Sequence, residues 1–395
     1  MQLNNDDFFQ NPYPFYSAMR QAQHPFWLPH HQDNSTSQGI WLFSRYADAL
    51  SIFKQTSTIS KNIRSIRPPG KSSPFDLHLL HRDGQDHLRL RRLVAHHFSS
   101  NYLTKLTPRI TRIAENLILS FIQKGEGDLL YDFAEAMPLH VIAELIGVPT
   151  EDMAQIRAWS LDLGEGFDSL LISKAVQEKQ KQALSAFMDY TKKLIKAKHQ
   201  LVDGSLLEHI VSTHLSGKLD QDELTAMLGF LLFAGHETTI NLIGNGLWLL
   251  LSNESNWQLL REDTALIPSA IEEILRFESP EQRTSFRITP QVLNINGFTV
   301  EKDQQIGIVI GAANRDSAAF DQAHRFDLRR TPNRHLAFGL GIHHCLGKTL
   351  ARIEAQIAIG KAVELMPSLR LKGYTPLWRR NSFFRGLTTI PAQLS

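Results

Sequence analysis

The segment LTAMLGFLLFAGHETTINLIGNGLWLLL, residues 224–251, is the most apolar stretch of the chain and constrains its fold more than any other. As a helix it is long enough to cross a bilayer. His236, Glu237, Asn241 and Asn245 interrupt it, and each is costly in hydrocarbon unless it finds a partner. A helix buried through the middle of a large domain therefore fits it better than a membrane span. Such a helix needs apolar neighbours on every side, and a chain of 395 residues with 42% apolar content supplies them.

Apolar residues at i, i+3 and i+4 recur in SAMRQAQ, His87–Phe98, Thr107–Gln123, Tyr131–Ile146, Lys174–Lys198, Asp222–Leu251 and Leu266–Phe277, which predicts helices there. Strand signals are confined to GIWLFS, to QVLNI and FTV joined by Asn296-Gly297, and to IGIVIGA. The expected class is mainly α with small β-sheets (α+β). With no internal repeat, low-complexity tract or Gly/Ser linker, residues 1–395 read as one domain. Two irregular stretches, 63–84 and 163–172, are long for connections and read as lids.

Charge excludes some functions. Lys and Arg total 42 against 40 Asp and Glu, so a net charge of +2 gives no general reason to bind nucleic acid or an acidic membrane. The single cysteine cannot form an internal disulfide, and MQLNNDDFFQNPYPF lacks the basic and apolar regions of a signal peptide. A cytoplasmic protein with no membrane anchor is expected.

That cysteine, Cys345, stands in FGLGIHHCLG, Phe338 to Gly347, just before a helical pattern. It could be a nucleophile, a metal ligand or an inert buried side chain. A phosphate-binding P-loop fails, because five residues rather than four separate Gly341 from Gly347 and Ile342 stands where the first glycine belongs. In G-x-G-x-x-G, His344 replaces the last glycine. A zinc site has only a fragment in His343, His344 and Cys345, while Ile240 replaces the second histidine of H-E-x-x-H after His236-Glu237. A cysteine hydrolase would need a specific His and Asn partner that the sequence does not single out.

Three further features bear on Cys345. Glu273 and Arg276 lie three apart on a predicted helix, close enough to pair; His87 and Arg91 lie four apart on another. Ala234-Gly235-His236-Glu237-Thr238-Thr239 puts an acid and an alcohol in mid-helix. For His87 and Arg91 a solvated basic face is the plainer alternative, and for the mid-helix pair an N-cap or kink.

In order along the chain, His87 to Arg91 (H-x-x-x-R), Ala234 to Thr238 (A-G-x-[DE]-T), Glu273 to Arg276 (E-x-x-R) and Phe338 to Gly347 (F-G-x-G-x-H-x-C-x-G) resemble the cytochrome P450 family, the soluble bacterial haem-thiolate monooxygenases. The resemblance implies the cytochrome P450 fold and haem b (iron protoporphyrin IX) with Cys345 as axial thiolate and metal ligand. It implies that Gly339, Gly341 and Gly347 let the backbone approach the porphyrin and lower the thiol pKa with their N–H groups, that Phe338 packs near the ligand, and that Ala234 adjoins the cofactor. His87, Arg91, Arg287 and His343 would take the propionates. Glu273 and Arg276 would be a structural ion pair held by a third partner, Arg325 or Arg329. Glu237 would relay protons and Thr238 hand them to dioxygen.

By the same resemblance, loop 63–84 and Phe230, Phe233, Ala234, Pro280, Phe286, Phe383 and Phe384 would meet a lipophilic small-molecule substrate. Electrons would come from a ferredoxin or flavodoxin with its NAD(P)H reductase, docked near Arg89, Arg92, Lys348 and Arg352, since no flavin or iron–sulfur motif is present. A monomer is expected. Ser317 replaces the family's usual proline after Asn314-Arg315-Asp316, and His344 directly precedes the ligand. Two alternatives keep the haem: a peroxide-driven peroxygenase needing no donor, and a non-catalytic haem-binding sensor, which has no use for Glu237 and Thr238.

Overall fold

The apolar segment forms a helix of 31 residues, Gln221–Leu251, in the computed structural model, which describes residues 5–29, 39–62, 74–165, 173–197, 205–373 and 375–394. Asp220 and Glu223 close a capping box at its start, so two of its otherwise unpaired N-terminal donors are satisfied. Its most apolar window is 78% buried inside the protein, as a core helix requires. Helices Ala136–Ile146, Met153–Glu165, Lys174–Lys196 and Lys348–Leu365 pack around it. A Cβ at Gly235 would lie 2.8 Å from Ile142 Cδ1, so the glycine permits the close crossing of Ala136–Ile146.

Predicted and observed helices agree to within a few residues for most segments. Gly84–Ala95, Ser100–Lys124, Ala136–Ile146, Lys174–Lys196 and Ile267–Phe277 appear, and a π-helical turn, Leu130–Ala134, precedes Ala136. The stretch 163–172 is not wholly irregular, because Met153–Glu165 extends into it; 166–172 and the first half of loop 63–84, up to residue 73, lie outside the described residues. The remaining part of that loop forms 3-10 turns at Pro74–Leu77 and Leu79–His81.

Strands are more numerous than the sequence suggests. Phe26–Pro29, Gly39–Phe43, Gln305–Ile308 and Arg287–Ile288 form one sheet in that order, with Gly39–Phe43 parallel to Gln305–Ile308. Glu126–Asp128, Pro391–Leu394 and Leu369–Leu371 form a second, none of which was predicted. The hairpin Leu293–Ile295/Phe298–Val300 turns at Asn296 (φ 49) and Gly297 (φ 93) as expected of Asn-Gly. IGIVIGA divides, its first half joining the sheet and its second forming the short helix Ile310–Ala313.

Arg276 is fully buried and spends its guanidinium on Glu273 (2.7 and 2.8 Å) and on the carbonyls of Asn314, Ala323 and Arg325. The third partner of the pair is Arg330, at 3.1 Å from Glu273, and not the side chain of Arg325 or Arg329. Asn333 and the Asp327 N–H also donate to Glu273. Removing one charge leaves the others buried and uncompensated. Glu273→Gln should therefore cost about 3–5 kcal/mol, read as a lowered urea midpoint at unchanged slope, whereas Arg325→Ala should cost far less.

Candidate active site

The loop around Cys345 is positioned from both ends. Leu336 N–H donates to Asn314 Oδ1 (2.7 Å) where the loop begins, and Cys345 N–H donates to the Phe338 carbonyl (3.0 Å) to close it. Gly339 (φ 62) and Gly341 (φ 76) hold left-handed backbone, and a Cβ at 341 would lie 2.7 Å from the Phe53 carbonyl oxygen. The Phe338 ring lies under the Arg352 guanidinium (4.6 Å), which bonds Glu272 at 2.6 and 2.7 Å. His335 also reaches Glu272 (3.0 Å). Burial would raise the Glu272 carboxyl, but Arg352 and His335 prevail and hold it down to about 2.

The thiol itself departs from expectation. Burial pushes it up to about 11, outweighing the Gly347 N–H, Arg91 and Lys348, so the glycine loop alone does not ionise it. The residue nevertheless keeps accessible surface. A group both deep and accessible lines an internal space.

The central helix tells the same story. Among its buried turns, Phe230, Ala234, Gly235 and Thr238 retain accessible surface, a stripe spaced at i, i+4, i+5 and i+8. Glu281 lies between Phe233, the buried neighbour of the stripe residue Ala234, and the thiol. Its backbone pairs with Phe384, whose ring meets Phe233 edge-to-face at 6.3 Å, and its carboxyl lies near enough to raise the Cys345 pKa.

The expected anion-binding side chains converge beside this space. His87 and His343 rings lie 4.4 Å apart, and His343 is 3.5 Å from Asp83. Arg91 donates to the Ile342 and His344 carbonyls (3.3 and 2.7 Å), and Arg287 to Thr284 (2.8 Å) while lying over Phe53. Both ring nitrogens of His87, and Nδ1 of His343, are buried without a partner among the described residues. Burial holds His87 down to about 4. A Cβ at Gly347 would meet nothing within 4 Å, so packing does not require that glycine. One metal-binding thiol, space beside it, and orphaned polar groups at its edge fit a porphyrin carrying carboxylates.

Glu237 points elsewhere than its neighbour. Its Oε1 pairs with Arg379 (2.8 Å) and accepts from Asn241 (3.3 Å), Arg379 also bonds Asn241, and Oε2 has no partner among the described residues. Thr238 donates its hydroxyl to the Ala234 carbonyl (3.0 Å). Of the expected substrate residues, Phe230 stacks on His78 (4.2 Å) and Phe286 keeps accessible surface, whereas Phe233, Pro280, Phe383 and Phe384 are buried. Lys61, Glu281 and Arg379 escaped the sequence reading, as each is a charged residue in an ordinary-looking loop. Of the proposed docking cations, Arg89 is committed to Glu223 and Arg352 to Glu272, while Arg92 is exposed.

A lone cysteine with orphaned imidazole nitrogens and buried arginines near it fits the donor set of a haem-thiolate protein. The sequence model "Cytochrome P450" matches residues 151–365. Vitamin D(3) 25-hydroxylase of Pseudonocardia autotrophica is 36% identical over 401 residues, covering 99% of this chain and 96% of its own. Cytochrome P450 monooxygenase PikC of Streptomyces venezuelae is 34% identical, covering 98% and 91%. Among solved structures, myxobacterial CYP267B1 in complex with myristic acid superposes with a TM-score of 0.92 at 33% identity, covering 100% of this chain and 98% of that one. P450BioI, in complex with an acyl carrier protein carrying hexadec-9Z-enoic acid, superposes at 0.89 with 31% identity and 99% coverage of both.

The chain belongs to the cytochrome P450 family, in its bacterial form, and has its fold. It is an oxidoreductase of the monooxygenase class with a haem ligated by cysteine thiolate, and the sequence offers one cysteine, Cys345.

Burial raises the Glu281 carboxyl to about 7, against the pull of Lys61, Arg287 and Arg283. A carboxyl whose folded pKa exceeds its unfolded value binds its proton more tightly when folded, so it withdraws stability as pH rises from about 4.5 through 7. Glu281→Gln in the haem-free protein should match the parent's thermal midpoint at pH 4 and exceed it at pH 8.

Proposed function

We propose that this protein inserts one oxygen atom from O2 into a lipophilic small molecule, by hydroxylation or epoxidation, with haem b as cofactor and electrons from a ferredoxin or flavodoxin and its NAD(P)H reductase. The accessible Phe230/Ala234/Gly235/Thr238 stripe on an otherwise buried helix carries the reading, because it is an apolar wall with one hydroxyl on the core helix of a chain whose one cysteine, Cys345, also keeps accessible surface. Relatives co-crystallised with myristic acid and with testosterone support a lipophilic substrate. We further propose a single haem domain acting as a cytoplasmic monomer.

Haem, when bound, supplies the activation of dioxygen. Cys345 would hold the iron as thiolate, while His87, Arg91, Arg287 and His343 would take the propionates and Phe338 would back the loop. Ala234 leaves room for the cofactor beside the helix. Arg379 and Asn241 fix Glu237 Oε1 and leave Oε2 without a partner among the described residues, so Oε2 would take up a proton, and delivery toward Thr238 would need the Glu237 side chain to turn from Arg379 to the cavity. Thr238, its hydrogen given to Ala234, presents oxygen lone pairs to the cavity. Phe230 and Phe286 offer apolar surface to the substrate, with Phe233, Pro280, Phe383 and Phe384 packed behind. Glu273 and Arg276 support the loop without touching substrate.

The reduced protein under carbon monoxide should show the strongly red-displaced Soret band of thiolate ligation; a Soret band in the position of histidine ligation would sink the reading. Thr238→Ala should keep consuming NAD(P)H while product falls and peroxide accumulates, and Glu237→Gln should slow turnover roughly 10²-fold. Arg92→Glu should slow reduction by an acidic donor at low salt and not at high salt.

A further inference from the structure

Lys61 carries a charge that the site as described does not use. It is buried, its ammonium donates to Ser285 Oγ and lies 5.7 Å from the centre of the Phe286 ring, and its backbone N–H is gripped by both Asp83 oxygens (3.1 and 3.0 Å). It is therefore held in place. Lys61, Arg287 and His343 line one cleft, closed by Phe53, Leu340 and Ile342. Burial in the cleft lowers the pKa of both Lys61 and Arg287, and Arg287 lowers that of Lys61 further.

The acids nearby do not balance them. Asp83 is committed to Ser60, the Lys61 N–H and His343. Glu281 is a single carboxyl facing both Lys61 and Arg287, and burial works against its own charge. Keeping an ammonium and a guanidinium side by side out of water is strongly unfavourable unless a further anion completes the set. His343 and Arg287 share the cleft, and a carboxylate entering between them lies within reach of a lysine held on the same wall.

We propose that Lys61 and Arg287 form a two-cation clamp for a carboxylate, which makes Lys61 a cofactor-anchoring residue alongside His87, Arg91, Arg287 and His343. The inference rests on the haem reading above. The same chemistry has a second source, the carboxylate of a fatty-acid substrate, and the cleft's pairing of Arg287 with His343 favours the haem propionate.

The test is the rate of haem transfer from the holoprotein to excess apomyoglobin, followed by absorbance, for wild type, Lys61→Met, Lys61→Gln, Lys61→Arg and Arg287→Met. Lys61→Met and Lys61→Gln should lose haem about tenfold faster or more, with unchanged far-ultraviolet dichroism, and Lys61→Arg should stay near wild type. Dodecanoate and dodecanol titrations, read as spin-state shifts, form the second arm. If haem loss is unmoved but dodecanoate alone binds more weakly, the clamp holds a substrate carboxylate and the propionate assignment is overturned. If Arg287→Met accelerates haem loss while both Lys61 variants leave haem loss and dodecanoate affinity unmoved, Lys61 is a packing residue and the clamp is wrong. If the wild-type chain takes up no haem at all, the haem reading fails first and the clamp falls with it.

Discussion

Arg276 is a guanidinium with no access to water, and the loop that bears Cys345 depends on how its charge is met. Its donors reach Glu273 and three carbonyls from the segment 314–325, so the helix Ile267–Phe277 cannot shift without that segment following. Asn314, one of the three, turns its side chain to Ser279 and to the Leu336 N–H, two residues before Phe338. The neighbouring Glu272 grips Arg352 and His335, and Arg352 covers Phe338. From the ion pair to the cysteine loop is a path of a few hydrogen bonds. Buried pairs of this kind often cost more in desolvation than they return, so their use is better sought in the geometry they fix.

The central helix resolves the conflict its sequence poses. Glu237, Asn241 and Asn245 recur at i, i+4 and i+8, forming one polar seam, and the turn 379–386 meets all three. Arg379 bonds Glu237 and Asn241, while Asn245 donates to the Arg385 carbonyl (2.9 Å). Gly386 is required there, since a Cβ would collide with Asn241 Oδ1. The accessible stripe at Phe230, Ala234 and Thr238 runs beside this seam. One helix thus holds its acid against the C-terminal turn and its alcohol toward the cavity, with a single residue step between them.

Features with local periodicity or fixed spacing were legible in the sequence: most long helices, the Asn-Gly hairpin and the buried character of 224–251; the expectation that His87, Arg91, Arg287 and His343 act together came from the family resemblance alone. Features decided by distant partners were not. Pro391–Leu394 is a strand because Glu126–Asp128, far earlier in the chain, lies beside it, Leu369–Leu371 is one because it pairs with the other edge of Pro391–Leu394, and Arg287–Ile288 is too short for any alternation to show. Arg325, Arg329 and Arg330 look alike in sequence, and only the path of the backbone brings Arg330 to Glu273. The Gly347 N–H lowers the Cys345 thiol pKa as the loop sequence implies, while the burial that outweighs it belongs to the whole fold.

Burial drives five titratable groups around the cavity one way, while Asp83, held by His343, Ser60 and the Lys61 N–H, is kept toward its charged form. The Cys345 thiol and the Glu281 carboxyl are pushed up by burial, while His87, His343 and Lys61 are pushed down by it. Each moves toward its neutral form, whatever its chemistry. A bare cation would relieve the acids and worsen the bases, and a bare anion would do the reverse. A group bearing a metal cation beside the sulfur and carboxylates beside the bases relieves both at once, since a coordinating thiol gives up its proton and paired bases regain theirs. A haem held by cysteine thiolate, the cofactor of the family, has that distribution of charge.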